Sequence, residues 1–474
     1  MNMILTTSSF IFPLITVPYV SRVIGPDGMG AISWAQTFVS YFSLVAVLGI
    51  NTYGIREVAK VRNDREKLSV VTQELITILI ISTTIAYAAF LVTIFTLPKA
   101  REDKPLMLIF SISIWMTSCG INWFYQGIEQ YGYITTRNIL VKLIGLILIF
   151  IFVHQSSDYY IYALILVLGL VGSNLFNLIQ LHKYVHFDIK HKLNLRRHFK
   201  PLINFSISSI SAGMYVQLDM LFLGFFGTNK AMGLYQLVTK IRTIGYSAVN
   251  SVGSVMLPRL SYYASRENSH DKTSQLVAKN LNFLFIVGLL FIASITICAK
   301  PIILILGGEQ YLGASVALII SSISILLSSA NTILTQYMIA CGQEHRYATI
   351  NVISLIGGII LCFIFIPAFS IAGAALSGVC IEILTLLLNS FFLRDFLREI
   401  MKYLDFIRVF IAFAISFTIS SLFAYRLIGM NPFFQLLINT TIFIIPYMIL
   451  LLIFKESFIY YSIKPILSRF TKNT

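Results

Sequence analysis

Apolar blocks of about twenty residues recur from one end of this chain to the other, separated by short polar or Gly/Pro interruptions. A helix needs roughly 20 mostly apolar residues to cross a bilayer core. Blocks at about 4–20, 31–52, 70–97, 106–125, 138–153, 160–181, 201–226, 232–257, 280–299, 312–340, 348–366, 372–392, 409–425 and 433–454 predict about fourteen membrane-spanning helices. Only 12% of the 474 residues are charged and 57% are hydrophobic, whereas soluble domains carry about 25% charged residues. The fold class is therefore an all-α polytopic membrane protein. No basic leader and cleavage site precede the first block, which reads as a retained span rather than a signal peptide.

An even number of spans puts both termini on one side. The predicted loops on that side hold 25 Lys and Arg, and the opposite loops hold 7. Lys142, Lys240 and Arg242 fall within spans. By the positive-inside rule both termini are cytoplasmic. The net charge of +15 is thus topological and does not mark a nucleic-acid surface. The basic clusters at Arg56–Lys67 and Lys183–Lys200 suit anionic lipid headgroups. Outer loops run to about twelve residues or fewer, too short to build the pocket that an externally acting polymerase or ligase needs.

Two stretches resemble each other. One reads Gly127-Ile-Glu129, then Tyr131 and Tyr133, then Asn138; the other reads Gly342-Gln-Glu344, then Tyr347, then Asn351. Aligning Gly127 with Gly342 sets the halves six spans apart and running the same way. Gly25 and Gly30 after the first span, and Gly224 and Gly233 around the turn after the seventh, repeat more loosely. Two six-helix lobes follow, 1–190 and 191–395, with 396–474 adding two helices and a tail. Transporters built from such halves carry substrate between them.

Ionisable residues inside spans are costly and are functional candidates by default. Asp219 lies in the seventh span and Lys240 in the eighth, at depths of roughly 10 and 13 Å from a short outer turn. They are candidates to pair, for structure or for function. Arg242 points away from Lys240 on the same helix. Glu382, near the middle of the twelfth span, is the most deeply placed carboxylate. Lys142 and Glu74 lie near cytoplasmic ends, where snorkelling is the simpler reading. Arg22 closes the first span, in which Pro13 and Pro18 each remove a helical N–H and predict a bend. No phosphate-binding glycine motif, dinucleotide fingerprint or H-E-x-x-H is present, so the chain is expected to need no nucleotide, cofactor or metal. The histidines at 182, 186, 191 and 198 read as a solvated basic loop.

The runs Pro18–Gly30 (PYVSRVIGPDGMG), Gly49–Lys60 (GINTYGIREVAK) and Asn122–Asn138 (NWFYQGIEQYGYITTRN), with Asp219 before Leu223-Gly224 and Gly233-Leu-Tyr235, resemble the bacterial polysaccharide transporter family. These are O-antigen and capsule flippases of Wzx type, within the multidrug/oligosaccharidyl-lipid/polysaccharide exporter superfamily. The resemblance implies two six-helix lobes around a V-shaped cavity in the bacterial inner membrane. It further implies flipping of an undecaprenyl-diphosphate-linked oligosaccharide by alternating access, with a proton or sodium gradient as the candidate source of direction. Membrane lipids and polysaccharide polymerase machinery are the other partners it suggests, and nucleic acid is not one. Arg22, Lys240, Arg242 and Lys142 are then the cations available to a diphosphate. Asp219 and Glu382 join them along the path, and Pro13, Pro18, Gly25 and Glu129 are conformational candidates. A lipid II flippase and a cation-coupled multidrug exporter are the alternatives within the superfamily; the exporter calls for deep carboxylates in the N-terminal lobe. Family members begin with a longer basic segment than this chain shows, which bears on how the first helix is anchored.

Overall fold

A computed structural model describes residues 2–187, 193–250, 270–427 and 429–459. His191, parts of the predicted basic loops 182–200 and 258–279, the end of the predicted span 232–257 and most of the tail after 455 lie outside these residues. The described chain is almost wholly helical, with no strand. It is a multi-pass membrane protein: among the described residues ten helices are long and apolar enough to cross a bilayer, eleven if the bent pair Phe205–Val216 and Leu218–Phe226 counts as one span.

That number sits below fourteen partly because two apolar helices each contain two predicted spans. Asn2–Val47 is broken at Gly25, whose φ of 75° and ψ of 173° leave the helical region. At φ 75° a side chain would clash with its own backbone, so glycine is the residue that fits. The break falls just before Pro26, whose missing N–H suits the first turn of a new helix. At Pro13 and Pro18 the backbone φ/ψ stay helical, and the break lies at Gly25, one of the conformational candidates. Glu344–Phe392 is broken at Ser370, with φ 49°. There the chain reverses: Gly373 lies against the Phe365 carbonyl, Gly357 against Leu384, and the Ser354 and Thr385 hydroxyls meet at 2.9 Å. Helix Asn229–Asn250 is long enough to span but carries Lys230, Lys240 and Arg242, which lowers its hydropathy below that of its neighbours.

The chain divides into two compact units, Met1–Gln236 and Leu237–Thr474. In the first, helices Asn2–Val47, Arg65–Thr96 and Lys104–Cys119 pack together. Near them the short helices Ile50–Val61 and Asn122–Gly127 bury Tyr53, Val58, Trp123, Phe124 and Tyr125 in one cluster. The Trp123 indole lies on Gly54, and Gly127 on Val58. The two motifs Gly49–Lys60 and Asn122–Asn138 are thus one packing unit. In the second unit the terminal pair Phe406–Ala424 and Pro432–Ile453 packs on His270–Leu306 through Val409, Phe443 and Tyr447. The Tyr447 hydroxyl donates to the Ile286 carbonyl at 3.2 Å.

The repeated turns share a hydrogen-bond pattern in a register that differs from the sequence alignment. After Asn122–Gly127 the Gln130 N–H reaches the Tyr125 carbonyl (2.8 Å) and Glu129 N–H the Gln126 carbonyl (3.1 Å). After Ser315–Ala340 the Gln343 N–H reaches the Met338 carbonyl (2.9 Å) and Gly342 N–H the Ile339 carbonyl (3.0 Å). This is the Schellman stop, which places one residue in the left-handed region. That residue is Glu129 (φ 61°) in one turn and Gly342 (φ 72°) in the other. Gly342 therefore matches Glu129 and not Gly127, a slip of two residues.

Candidate functional site

The second arm of the first helix is broken at Leu48 (φ 45°) and Gly49 (φ 66°). Across from it, helix Arg196–Val216 stops at Gln217 and the chain bends by 56° into Leu218–Phe226. These two breaks flank a cavity of about 240 Å³ lined by Ser40, Ser43, Leu44, Val47, Gly49, Asn51, Thr117, Ser209 and Gln217. Six of the nine carry hydroxyl or amide groups and none is charged. Irregular backbone at membrane depth is tolerated where it lines such a cavity. The bend itself is tethered: Ser40 Oγ lies 3.0 Å from Gln217 Oε1, and the Tyr41 hydroxyl donates at 2.9 Å to the Met214 carbonyl.

Asp219 opens the half-helix beyond the bend. It is buried, and accepts from the Tyr235 hydroxyl (2.6 Å) and the Met220 N–H (2.8 Å). A carboxylate in the first turn also meets the positive end of the helix dipole. Arg22, in contrast, is exposed, and its guanidinium reaches back to the Pro18 carbonyl at 3.3 Å. Lys142 is half-buried on Tyr131–Phe152. Glu129 is exposed and pairs with Arg62 at 2.5 Å, tying two loops together; exposed pairs of this kind contribute at most about 1 kcal/mol.

The remaining candidates belong to the second unit. Lys240 and Arg242 are half-buried on Asn229–Asn250. Glu382 is half-buried and accepts from Asn331 Nδ2 at 2.8 Å. Asn389 donates to Asn331 at 3.1 Å, extending the chain of amides.

Glu74 and Arg137 are buried where the sequence suggested solvated groups. Glu74 does not snorkel; it is 1% exposed. Its Oε2 accepts from Arg197, whose Nε lies at 2.9 Å, and from His198 Nε2 at 2.9 Å, while Oε1 accepts the Asn194 N–H at 2.7 Å. Since a carboxylate only accepts, His198 Nε2 carries the proton, and Nδ1 lies 2.8 Å from the Tyr53 hydroxyl. His198 is thus buried and does not belong to a solvated loop.

Arg137, counted by sequence as a loop cation, is also buried. Its guanidinium donates to the Ser173 carbonyl (3.0 Å) and Asn122 Oδ1 (2.5 Å), and lies over the Tyr133 ring. Asn177 also reaches Asn122 Oδ1, at 3.2 Å, and bonds the Gly120 carbonyl, while Asn174 donates to the Met116 carbonyl at 3.0 Å. Arg137 thus closes a knot of amides and helix-end carbonyls, groups whose partial negative charge favours a cation. Lysine lacks the planar fork that spans these two acceptors. Arg137→Lys is expected to cost about 1–3 kcal/mol, read as a lower unfolding temperature of the purified protein. An unchanged temperature would remove Arg137 from this bracing role.

The N-terminal unit that holds the cavity lies within a stretch matched by a known sequence family. The profile described as "Polysaccharide biosynthesis protein" matches residues 1–264. The chain is 25% identical over 399 residues to a protein of Escherichia coli (strain K12) named "Putative O-antigen transporter", covering 82% of this chain and 94% of that one. It is 25% identical over 210 residues to the "Probable low-salt glycan biosynthesis flippase Agl15" of Haloferax volcanii, covering 43% and 44%. Among solved structures it resembles lipid II flippase MurJ in an inward closed conformation, with a TM-score of 0.71 and 19% identity over 95% of this chain and 98% of that one. With more than half its length inside the profile, this chain belongs to the polysaccharide biosynthesis protein family.

Proposed function

We propose that this protein is a flippase, not an enzyme, that moves an undecaprenyl-diphosphate-linked oligosaccharide, an O-antigen or capsule repeat unit, across the bacterial inner membrane. Both termini lie in the cytoplasm in this reading. Lobes 1–190 and 191–395 alternate access, the helices of 396–474 are appended, and a proton or sodium gradient supplies direction.

The observation that carries the proposal is the uncharged, hydroxyl- and amide-lined cavity set among membrane helices. A sugar hydroxyl moved unpaired into hydrocarbon costs roughly 2–7 kcal/mol, so an oligosaccharide does not cross unaided. A cleft of serine, threonine and amide groups replaces water at those hydroxyls while the lipid tail stays in the bilayer. A cation-coupled drug exporter would instead call for deep carboxylates in the N-terminal lobe; Glu74, buried there, is held by Arg197 and His198, and the cavity lining carries none. The diphosphate is assigned to Arg22, Lys142, Lys240 and Arg242, with Asp219 and Glu382 along the path. Product release feeds a polysaccharide polymerase.

The test is genetic and chemical. In a strain lacking its own repeat-unit flippase, the chain should restore surface polysaccharide, and its loss should leave lipid-linked repeat units on the cytoplasmic leaflet. Accumulation of peptidoglycan precursor instead would assign it to lipid II. Arg22 is exposed, and Arg22→Ala should leave protein abundance unchanged. Loss of one charge-assisted contact, about 1.5–3 kcal/mol, should lower surface polysaccharide by roughly tenfold or more. Full restoration by Arg22→Ala would take this residue out of the path.

A further inference from the structure

We infer that the cavity between the two backbone breaks is a subsite for a single neutral sugar ring, with Gln217 as the residue that reads it. This rests on the flippase reading and specifies which part of the substrate the first unit holds. Four observations carry it.

The cavity has the size of one ring. At about 240 Å³ it has room for one pyranose ring. Its lining is uncharged, so a diphosphate finds no counter-charge there.

The polar groups facing it have bonding capacity left over. Among the described residues, no protein hydrogen bond engages the Gln217 amide nitrogen, the Thr117 or Ser209 hydroxyl, or the Asn51 side chain. Together they offer both donors and acceptors, which is what a ring of hydroxyls requires. Leu44 and Val47 supply an apolar patch for the C–H face of a ring.

The last observation concerns Ser40. Its hydroxyl lies within bonding distance of both the Thr37 carbonyl (2.7 Å) and Gln217 Oε1 (3.0 Å). One proton cannot serve both acceptors in full. A sugar hydroxyl can therefore replace Ser40 at Gln217, with Ser40 returning to Thr37, and no group is left unpaired. Because Gln217 stands at the 56° bend, the same exchange releases one tether of the bent span when sugar binds.

The experiment uses the full chain in lipid nanodiscs, its five cysteines replaced, with one cysteine reintroduced as Thr117→Cys or, separately, Ser43→Cys. The rate of labelling by a membrane-impermeant thiol reagent is measured with neutral hexoses, N-acetylhexosamines or inorganic pyrophosphate. At about ten times a millimolar dissociation constant, one or more of the sugars should slow labelling about tenfold. Pyrophosphate should not slow it. Gln217→Leu should abolish the protection, each labelling rate being compared with that variant's own sugar-free rate. Failure of every sugar to protect either cysteine overturns the inference, as does protection by pyrophosphate or full protection in Gln217→Leu. Restoration of surface polysaccharide by the unaltered chain is scored separately. If the chain restores polysaccharide and no sugar protects, the subsite falls and the flippase stands; if it does not restore polysaccharide, the flippase reading falls.

Discussion

Gly30→Val is expected to abolish folded protein in the membrane, the largest effect of any single change considered. A Cβ on Gly30 would fall on the Asn229 carbonyl oxygen and lie 2.9 Å from the Gly233 nitrogen; one on Gly233 would fall on the Pro26 carbonyl oxygen and lie 3.0 Å from the Gly30 nitrogen. The obstructing atoms are backbone on both sides, so no rotamer change makes room. The arm 26–47 of the first helix and the first two turns of Asn229–Asn250 touch directly, as membrane helices with small residues at their contacts do. Valine at either position forces the helices apart and strips contacts along both. Overpacking a tight core costs typically 1–3 kcal/mol even where side chains can shift, and here they cannot. The check is protein level and monodispersity on extraction for Gly30→Val and Gly233→Val. Wild-type behaviour of either variant would mean that this contact is not present in the folded protein.

Glu74→Ala should follow closely, with a loss of about 3–5 kcal/mol, the range for breaking a buried charged network by removing one partner. Arg197 is 46% exposed and can turn to water, so its share of that loss is small. The cost falls on the buried groups: His198 Nε2–H and the Asn194 N–H lose their acceptor. Glu74→Gln keeps an oxygen for one of these donors and should lose less than alanine. Thermal unfolding of the purified variants gives the order, wild type above Gln above Ala. Equal temperatures for wild type and Glu74→Ala would show that the cluster does not brace the unit. Because the network joins Ile50–Val61, Arg65–Thr96 and Arg196–Val216, the loss should reach beyond one helix end.

The apolar blocks, the breaks at Gly25 and near Ser370, and the turns around Glu129 and Gly342 could be read from the chain, because hydropathy and turn chemistry act over a few residues. The register of the repeated turn could not, since Glu129 takes a left-handed conformation that residue type alone favours for glycine. The candidate cavity was partly legible: the sequence pointed to the seventh span through Asp219, yet Gln217, two residues earlier, stands at the bend. Serines, threonines and amides are too common in spans for any one to stand out until the fold groups them.

The buried charges were beyond reach for a different reason. His198 meets Glu74 across 124 residues and Tyr53 across 145, and Arg137 meets the Ser173 carbonyl across 36. A histidine in a basic stretch and an arginine at a span edge look solvated in one dimension. Whether such a group is charged and wet or buried and paired depends on what other helices bring to it. What the sequence determined by itself is that this chain is a many-helix membrane protein with its breaks at particular residues. Only the tertiary structure decided which polar groups face an open cavity and which are spent holding helices together, because that choice is made by partners a hundred residues away.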